Sequence, residues 1–128
     1  MTTRQRVLDL VSYVEQGRIL DAIQEFYADD VLMQDNLNPP TVGKAANLER
    51  ERAFYSDIQV HEQRALSVLV DGDRATINWL FEFTGADGVR YRMDQIAVQQ
   101  WRDGLIVRER FVYDSASLRA ARCEDRVP

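Results

Sequence analysis

The fold is decided by residues 74–113, which read RATINWLFEFTGADGVRYRMDQIAVQQWRDGLIVRERFVY. Apolar and polar residues alternate through three runs of this stretch, and glycine-containing turn segments at 85–88 and 103–104 separate the runs. Alternation with a period of two is typical of β-strands, and short glycine turns join antiparallel neighbours. The stretch therefore predicts three consecutive antiparallel strands.

Alternation also assigns the side chains of these strands to two faces. One face is rich in rings and carries few polar groups; it comprises Ile77, Trp79, Phe81, Phe83, Tyr91, Met93, Gln95, Ala97, Gln99, Val107, Glu109, Phe111 and Tyr113. The opposite face carries most of the charge, with Leu80, Ile96, Ile106 and Val112 set among arginines and acids. The first face predicts the wall of a pocket, and the second, mixed face predicts the contact surface of a homodimer.

Outside this stretch, apolar residues at helical spacing and further alternating runs predict the remaining elements. In chain order these are helices over 3–16 and 19–27, a short strand over 31–35, a loop over 36–40, a helix over 44–57 and a long strand over 59–70. The order predicts an α+β fold, with helices laid on one face of a curved antiparallel sheet. A chain of 128 residues is expected to form one domain over 1–128, with its core at about 7–116 and a polar tail at 117–128.

Composition narrows the classes of function. The net charge of −5 argues against nucleic-acid binding, which needs a basic surface. The chain shows no signal peptide and no apolar run of the ~20 residues that a membrane span requires, so a cytoplasmic protein is expected. With one cysteine, Cys123, one histidine, His61, and no phosphate-binding glycine loop, neither a metal nor another cofactor is expected.

Several short segments together resemble one protein family. They are Gly17, Asp21-Ala22-Ile23, the run FYADDV at 26–31, Asp35, Pro39-Pro40, Gly43, the run GDRA at 72–75 and the hairpin WRDGLIV at 101–107 leading to Asp114. In this pattern the chain resembles the SnoaL-like branch of the nuclear transport factor 2-like superfamily over about residues 7–116. The resemblance implies a cone-shaped, cystatin-like fold, which hosts isomerases, dehydratases, epoxide hydrolases, cyclases and non-catalytic dimers, and so specifies fold better than function.

Asp35 matches the general base of the ketosteroid isomerases that share this fold. The resemblance places their oxyanion-hole tyrosine and aspartic acid at Leu10 and Ala97, neither of which donates a side-chain hydrogen bond. Since each oxyanion-hole donor contributes about 3–4 kcal/mol to transition-state binding, steroid isomerisation by that mechanism is disfavoured.

The chain is also similar to limonene epoxide hydrolases around residues 34–43. Their catalytic arginine and two aspartates align with Trp79, Phe81 and Phe111, so their acid and base are missing here. Their tyrosine and asparagine align with Met33 and Asp35. In SnoaL-like cyclases a catalytic aspartate ends the last strand, where this chain has Asp114, although strand parity turns Asp114 outward unless the chain bends there.

The candidate catalytic residues are Asp35, Glu109 and Asp114. Asp35 is suited to act as a general base if it points into an apolar cavity; otherwise it caps the loop that follows. Glu109 is the one charged residue on the ring-rich face of the last strand. It must be protonated, paired with an arginine such as Arg52, or close to the solvent-exposed opening of the pocket. It is a candidate second acid, or else a member of a structural ion pair.

The candidate substrate contacts are drawn mainly from the ring-rich face. They are Met33, Trp79, Phe81, Tyr91, Met93, Gln95, Gln99, Phe111 and Tyr113. The two glutamines are suited to orient a carbonyl or hydroxyl group of a ligand, or else to bond one another, and the aromatic residues are suited to form wall and core.

The sequence leads to two hypotheses of function. The first is a small-molecule-binding protein that acts as a cofactor-independent lyase or isomerase on a small apolar, oxygenated molecule, with a pocket carboxylate as base. The second is a non-catalytic ligand-binding or dimerisation module whose polar residues are structural.

Overall fold

The computed structural model describes residues 1–115, and the tail predicted over 117–128, with Cys123, lies outside these residues. The elements are α1 Thr3–Glu15, α2 Ile19–Phe26, β1 Tyr27–Asp35, β2 Thr41–Val42, α3 Lys44–Ser56, β3 Gln59–Asp71, β4 Arg74–Thr84, β5 Arg90–Arg102 and β6 Leu105–Val112. Three helices thus precede or interrupt the strands of one sheet, and the predicted α+β class is confirmed.

The two N-terminal helices begin and end where local chemistry favours it. At the start of α1 the Thr2 hydroxyl accepts from the Gln5 backbone N–H at 3.1 Å, and the Gln5 side chain accepts from the Thr2 N–H at 2.9 Å. This capping box satisfies two donors that the helix leaves unpaired. Gly17, with φ at +78°, adopts the left-handed conformation that turns the chain towards α2. The apolar stripe of α1, including Val7, Leu10 and Val11, is buried.

The sheet has six strands in the order β2-β1-β6-β5-β4-β3. The three strands of residues 74–113 form antiparallel neighbours, with Trp79 opposite Gln95 and Gln99 opposite Glu109. The predicted pairing of these strands, and the predicted face of the sheet for their side chains, are therefore correct over most of their length. One pairing was not predicted: β1 is longer than expected and runs parallel to β6. The two-residue β2 on its other side was also not predicted.

The predicted face of the sheet is wrong for Ile106 and Val107 on β6. The register shifts between Gln100 and Trp101, which places Trp101 opposite Ile106. A β-bulge of this kind resets the alternation of side chains. Ile106, predicted on the outward face, is fully buried in the core, while Val107, predicted inward, is only partly buried.

The core lies between α1, α2 and the inner face of the sheet. Helix α1 packs on β3, and α3 packs on β1 at the other side. The three helices thus stand over one face of the sheet, with space left between them and the strands. None of the helices in residues 1–115, the longest of which has 13 residues, is long and apolar enough to cross a membrane.

Candidate functional site

A cavity of about 380 Å³ lies between the three helices and the inner face of the sheet. This volume lies within the ~300–1,000 Å³ range of small-molecule sites. Its apolar wall consists of Leu10, Val14, Ile19, Ile23, Met33, Phe54, Trp79, Phe81, Met93 and Phe111. Its polar groups belong to Tyr27, Asp35, Arg50, Glu51, Tyr55, Gln63, Gln95, Gln99, Glu109 and Tyr113.

Glu109 is the most deeply buried charged residue on this wall, with 2 % of its surface exposed. It lies on β6 between Met33 of β1 and Gln99 of β5. One carboxyl oxygen, Oε2, accepts from the Gln99 side-chain amide at 2.6 Å, and the other, Oε1, forms a short hydrogen bond with the Tyr27 hydroxyl. Glu109 is therefore held by hydrogen bonds to two neutral side chains.

The orientation of the Gln99 amide is fixed by its second contact. The indole N–H of Trp101 donates to the Gln99 side-chain oxygen at 3.0 Å. Because an indole N–H can only donate, the Gln99 oxygen must face Trp101 and its amide nitrogen must face Glu109. Trp101, Gln99, Glu109 and Tyr27 thus form one buried chain of hydrogen bonds, in which Gln99 donates to the carboxyl group.

Burial raises the pKa of Glu109 from its ordinary value of 4.5 to about 7. Desolvation is the largest cause, since an ionised carboxylate is disfavoured in apolar surroundings. The hydrogen bonds from Tyr27 and Gln99 and the positive charge of Arg50 lower the pKa in part, whereas the negative charge of Glu51 raises it. The result is a carboxyl group that both takes up and releases a proton near neutral pH.

A second polar cluster reaches the cavity from α3. Asn47, Arg50, Glu51 and Tyr55 share one face of this helix because they follow its spacing of three to four residues. The Arg50 guanidinium lies 3.6 Å from an Asp35 carboxylate oxygen and 3.2 Å from Glu51, and it donates to the Asn47 side-chain oxygen at 3.2 Å. Burial raises the pKa of Glu51, the neighbouring Arg50 charge opposes that rise, and Asp35 adds to it.

Asp35 lines the cavity, but its surroundings differ from those of Glu109. Its side chain is 34 % exposed and faces the Arg50 guanidinium. A base at Asp35 requires a carboxylate that points into an apolar cavity, whereas Arg50 of α3 places a cation beside it. Its role as a base stays a prediction.

Three of the sequence-based placements are wrong. Arg52 does not pair with Glu109, since it lies on the exposed face of α3 and pairs with Glu49. Tyr91 lies outside the cavity, because its ring stacks on Phe83 near the hairpin end and its hydroxyl donates to Asp87 at 2.5 Å.

Asp114 is the third. It is exposed, lies two residues beyond the end of β6 and does not line the cavity. Strand parity alone turns Asp114 outward when the chain does not bend. The other candidate contacts, which are Met33, Trp79, Phe81, Met93, Gln95, Gln99, Phe111 and Tyr113, all line the cavity.

Sequence reasoning missed Tyr27, Arg50 and Glu51. Tyr27 was assigned to the second helix, whereas the chain changes to strand there and directs the tyrosine towards Glu109. For Arg50 and Glu51 the sequence held little signal, because the cavity-facing side of α3 mixes these charged residues with Phe54 and Tyr55 and gives no continuous apolar stripe. The spacing of Glu51 and Tyr55, four residues apart, was the one available indication of a shared face.

Comparison with solved structures shows how widespread this architecture is. A candidate SnoaL-like polyketide cyclase from Mesorhizobium loti is 24 % identical, with a TM-score of 0.80 over 87 % of this chain and 98 % of that one. A candidate isomerase from Rhodopseudomonas palustris is 18 % identical, with a TM-score of 0.74 over 94 % of this chain and 96 % of that one. An LEH-like epoxide hydrolase from M. tuberculosis is 13 % identical, with a TM-score of 0.76 over 93 % and 87 %. At these identities the likeness concerns the fold.

Comparison with protein families gives the assignment. No curated protein sequence matches the chain. The family model described as the SnoaL-like domain matches residues 7–109, which is most of the chain and runs from within α1 to Glu109 on β6. The protein therefore belongs to the SnoaL-like domain family, within the nuclear transport factor 2-like superfamily that its sequence resembles.

Proposed function

We propose that this protein is a lyase or isomerase that moves a proton on a small, largely apolar, oxygen-containing molecule, with Glu109 as the group that accepts the proton. One observation carries the proposal. Glu109 is a buried carboxyl group on the wall of an apolar cavity, and its pKa is raised to about 7. A general base works best when its pKa lies close to the pH at which it operates.

The hydrogen bonds of Glu109 leave it able to react. An ionised carboxylate has about four lone-pair positions, and the contacts of Tyr27 and Gln99 use one on each oxygen. The remaining positions are available to a proton of a ligand bound against the wall. The two contacts also restrict rotation of the carboxyl group, which favours a fixed direction of attack.

The proposal assigns the role of base to Glu109, which the sequence predicted as a second acid, and not to Asp35, which the sequence predicted as the base. Asp35 is paired with Arg50 and partly exposed, so it is better suited to hold the arginine in place than to take up a proton. Gln95 and Tyr113 also line the cavity, and we assign to them the orientation of ligand oxygens. The names of the isomerase and cyclase neighbours agree with this class of reaction, although those names describe the neighbours.

Deuterium incorporation is the experiment that tests the proposal. Wild-type protein is incubated in D₂O with a panel of small ketones, esters and alcohols, and exchange of carbon-bound protons is followed by NMR. We expect exchange with at least one ligand, a loss of at least about 100-fold in Glu109→Gln, and a much smaller loss in Asp35→Asn. Glu62→Gln, which changes an exposed carboxylate paired with Arg64, is the matched control and should exchange like the wild type.

The outcomes separate the alternatives. If Asp35→Asn abolishes exchange while Glu109→Gln retains it, the base is Asp35. If panel members raise the melting temperature of the wild type but none exchanges, the protein binds ligands without catalysing a proton transfer, and the proposed function is wrong.

A further inference from the structure

A second recess lies outside the cavity, between the C-terminal end of α3 and the hairpin that joins β4 to β5. It is an open groove of about 360 Å³, and its lining residues are Phe54, Asp57, Ile58, Phe83, Gly85, Ala86, Asp87 and Tyr91. Within residues 1–115, Phe54 is the one residue that lines both the groove and the cavity. The groove is therefore a separate candidate site, which the proposed function does not use.

Three aromatic rings shape the groove. Phe83 of β4 and Tyr91 of β5 are cross-strand neighbours, and their rings stack with 5.5 Å between centroids. Phe54 of α3 contacts Phe83 at 5.8 Å, with its ring plane turned by 73°. Although Phe54 is an apolar ring, 42 % of its surface is exposed. Rings that meet at a steep angle form a corner, which suits a compact, rounded group better than a flat one.

The charge that lines the groove is negative. It comes from Asp57 and Asp87, and the described lining residues include no lysine, arginine or histidine. Asp57 is also the C-cap residue of α3, whose last turn has no basic residue. Because the C-terminal end of a helix carries partial negative charge, a carboxylate there is unfavourable unless a cation lies near it. The groove therefore attracts cations and repels anions.

The hairpin holds one of these carboxylates against one of the rings. The Tyr91 hydroxyl donates to Asp87 Oδ2 at 2.5 Å, and Asp87 Oδ1 accepts from the Val89 N–H at 2.9 Å. Gly85 makes room for both groups, since a Cβ atom there would lie 2.9 Å from Asp87 Oδ1 and 3.3 Å from the Tyr91 ring. Donation to a carboxylate makes the phenol ring richer in electrons, and the negative face of such a ring attracts cations.

The same hydrogen bonds indicate which kind of cation fits. A primary ammonium brings three N–H donors that need acceptors when water is removed, whereas both oxygens of Asp87 already accept a hydrogen bond. A quaternary ammonium has no N–H group and spreads its charge over methyl groups. Aromatic rings are the usual contacts of such groups in proteins.

We propose that the groove binds the quaternary ammonium group of a small organic cation. The rings of Phe54, Phe83 and Tyr91 contact its methyl groups, and Asp57 and Asp87 supply the opposite charge. The inference goes beyond the proposed function, because the groove lies outside the cavity and no bond is made or broken in it. Since the groove is open, the rest of the cation extends into solvent.

The test compares choline with 3,3-dimethyl-1-butanol, which has the same shape but carries a carbon atom in place of the charged nitrogen. Titrations of the wild type followed by ¹H–¹⁵N NMR give both Kd values and locate the backbone amides whose signals shift. We expect choline to bind at least about tenfold more tightly than the alcohol. The shifted amides should lie at the end of α3 and in the hairpin, over residues 54–58 and 85–91.

Substitutions of the rings assign the preference to the groove. Tyr91→Leu removes a ring and should abolish the preference for choline over the alcohol. Tyr91→Phe is the matched control, because it keeps the ring, and it should retain most of the preference. Phe54→Leu changes a ring that is largely exposed, and it replaces Tyr91→Leu in the test if that variant does not fold.

Substitutions of the carboxylates test the charge. Asp57→Asn should weaken the binding of choline and leave the Kd of the alcohol unchanged, because the alcohol is neutral. Glu49→Gln is the matched control, since it removes an exposed carboxylate of the same helix that pairs with Arg52. It should bind both probes as the wild type does.

Two results would overturn the inference. The first is the absence of a preference in the wild type, whether the two Kd values are equal or neither probe binds. The second is binding in the cavity, where Asp35 and Glu51 also supply negative charge. In that case Asp35→Asn would abolish the preference for choline and Tyr91→Leu would retain it. Neither result affects the role of Glu109, which the exchange experiment tests separately.

Discussion

The side-chain amide of Gln99 donates to Glu109 at 2.6 Å, and both residues are almost completely buried. A hydrogen bond donated to the ionised carboxylate lowers its pKa, against the larger effect of desolvation. Because Trp101 holds the other end of the amide, Gln99 cannot turn its oxygen towards Glu109. Gln99 is thus a positioning residue that keeps the carboxyl group able to ionise near pH 7.

Replacing Gln99 tests this relationship. Gln99→Leu removes the donor and keeps the site apolar, so the pKa of Glu109 should rise above about 7. ¹³C NMR titration of labelled glutamate carboxyl groups measures the midpoint, with Glu109 assigned by the loss of its signal in Glu109→Gln. Gln100→Leu, at the next position on β5, is the control. A midpoint that is unchanged or lower in Gln99→Leu would contradict the role of Gln99.

Tyr27→Phe should destabilise the protein more strongly at high pH than at low pH. The variant removes the hydroxyl that bonds to Glu109, and a lost hydrogen bond to a charged, buried acceptor costs about 1.5–3 kcal/mol, more than one to a neutral acceptor. Urea unfolding at pH 5 and pH 8 measures the difference. Tyr55→Phe, whose hydroxyl contacts the neutral Gln63, is the control and should lose a similar amount at both values. An equal loss for Tyr27→Phe at both pH values would argue against an ionising partner.

Glu109 should also make the stability of the wild type fall as pH rises. Its pKa is about 7 in the folded protein and 4.5 ordinarily, so the folded state binds the proton more tightly than the unfolded state. The contribution of Glu109 to stability is therefore greatest below pH 4.5, declines as pH rises towards 7 and is lost above it, by up to about 3 kcal/mol. In Glu109→Gln this part of the decline should be absent. Parallel curves of unfolding free energy against pH for the two proteins would refute the assignment.

The outward face of the sheet should join two copies of the protein. Ile96 and Val112 lie opposite each other there and are 42 % and 38 % exposed. Glu82 and Arg92, which pair with each other within the chain, lie on the same face, and a face that mixes apolar and charged residues suits a contact between two identical copies.

Light scattering should therefore give a molar mass of about twice the 14.8 kDa of one chain. Ile96→Asp should yield monomers, because it introduces a charge into the apolar centre of the contact. Leu37→Asp, at a loop residue that is more exposed than Ile96, should remain dimeric. A wild type that runs as a monomer at all concentrations would contradict this surface.

The sequence was sufficient for the strands that carry the cavity wall. Trp79, Gln95, Gln99 and Glu109 were placed on one face by alternation alone, because a residue's face in a regular strand depends only on its parity. The prediction failed at Ile106, where a bulge resets the parity without a recognisable residue pattern.

The groups that surround Glu109 were harder to predict. Tyr27 reaches it through the parallel pairing of β1 with β6, a contact between segments 82 residues apart that no local pattern encodes. Arg50 was missed in favour of Arg52 because the inward side of α3 mixes polar and apolar residues, so hydrophobic periodicity could not tell which arginine points inward. The contacts of Tyr27 and Arg50 are both set by tertiary packing and not by local sequence.

The titration of the Glu109 carboxyl group is the measurement that tests the central claim most directly. Labelled glutamate carboxyl carbons are followed by NMR from pH 4 to pH 9, and the Glu109 signal is the one missing from Glu109→Gln. We predict a midpoint at about 7, as expected for a desolvated carboxyl group that exchanges a proton with a ligand. A midpoint below pH 5 would show an ordinary, solvated carboxylate and would contradict the account.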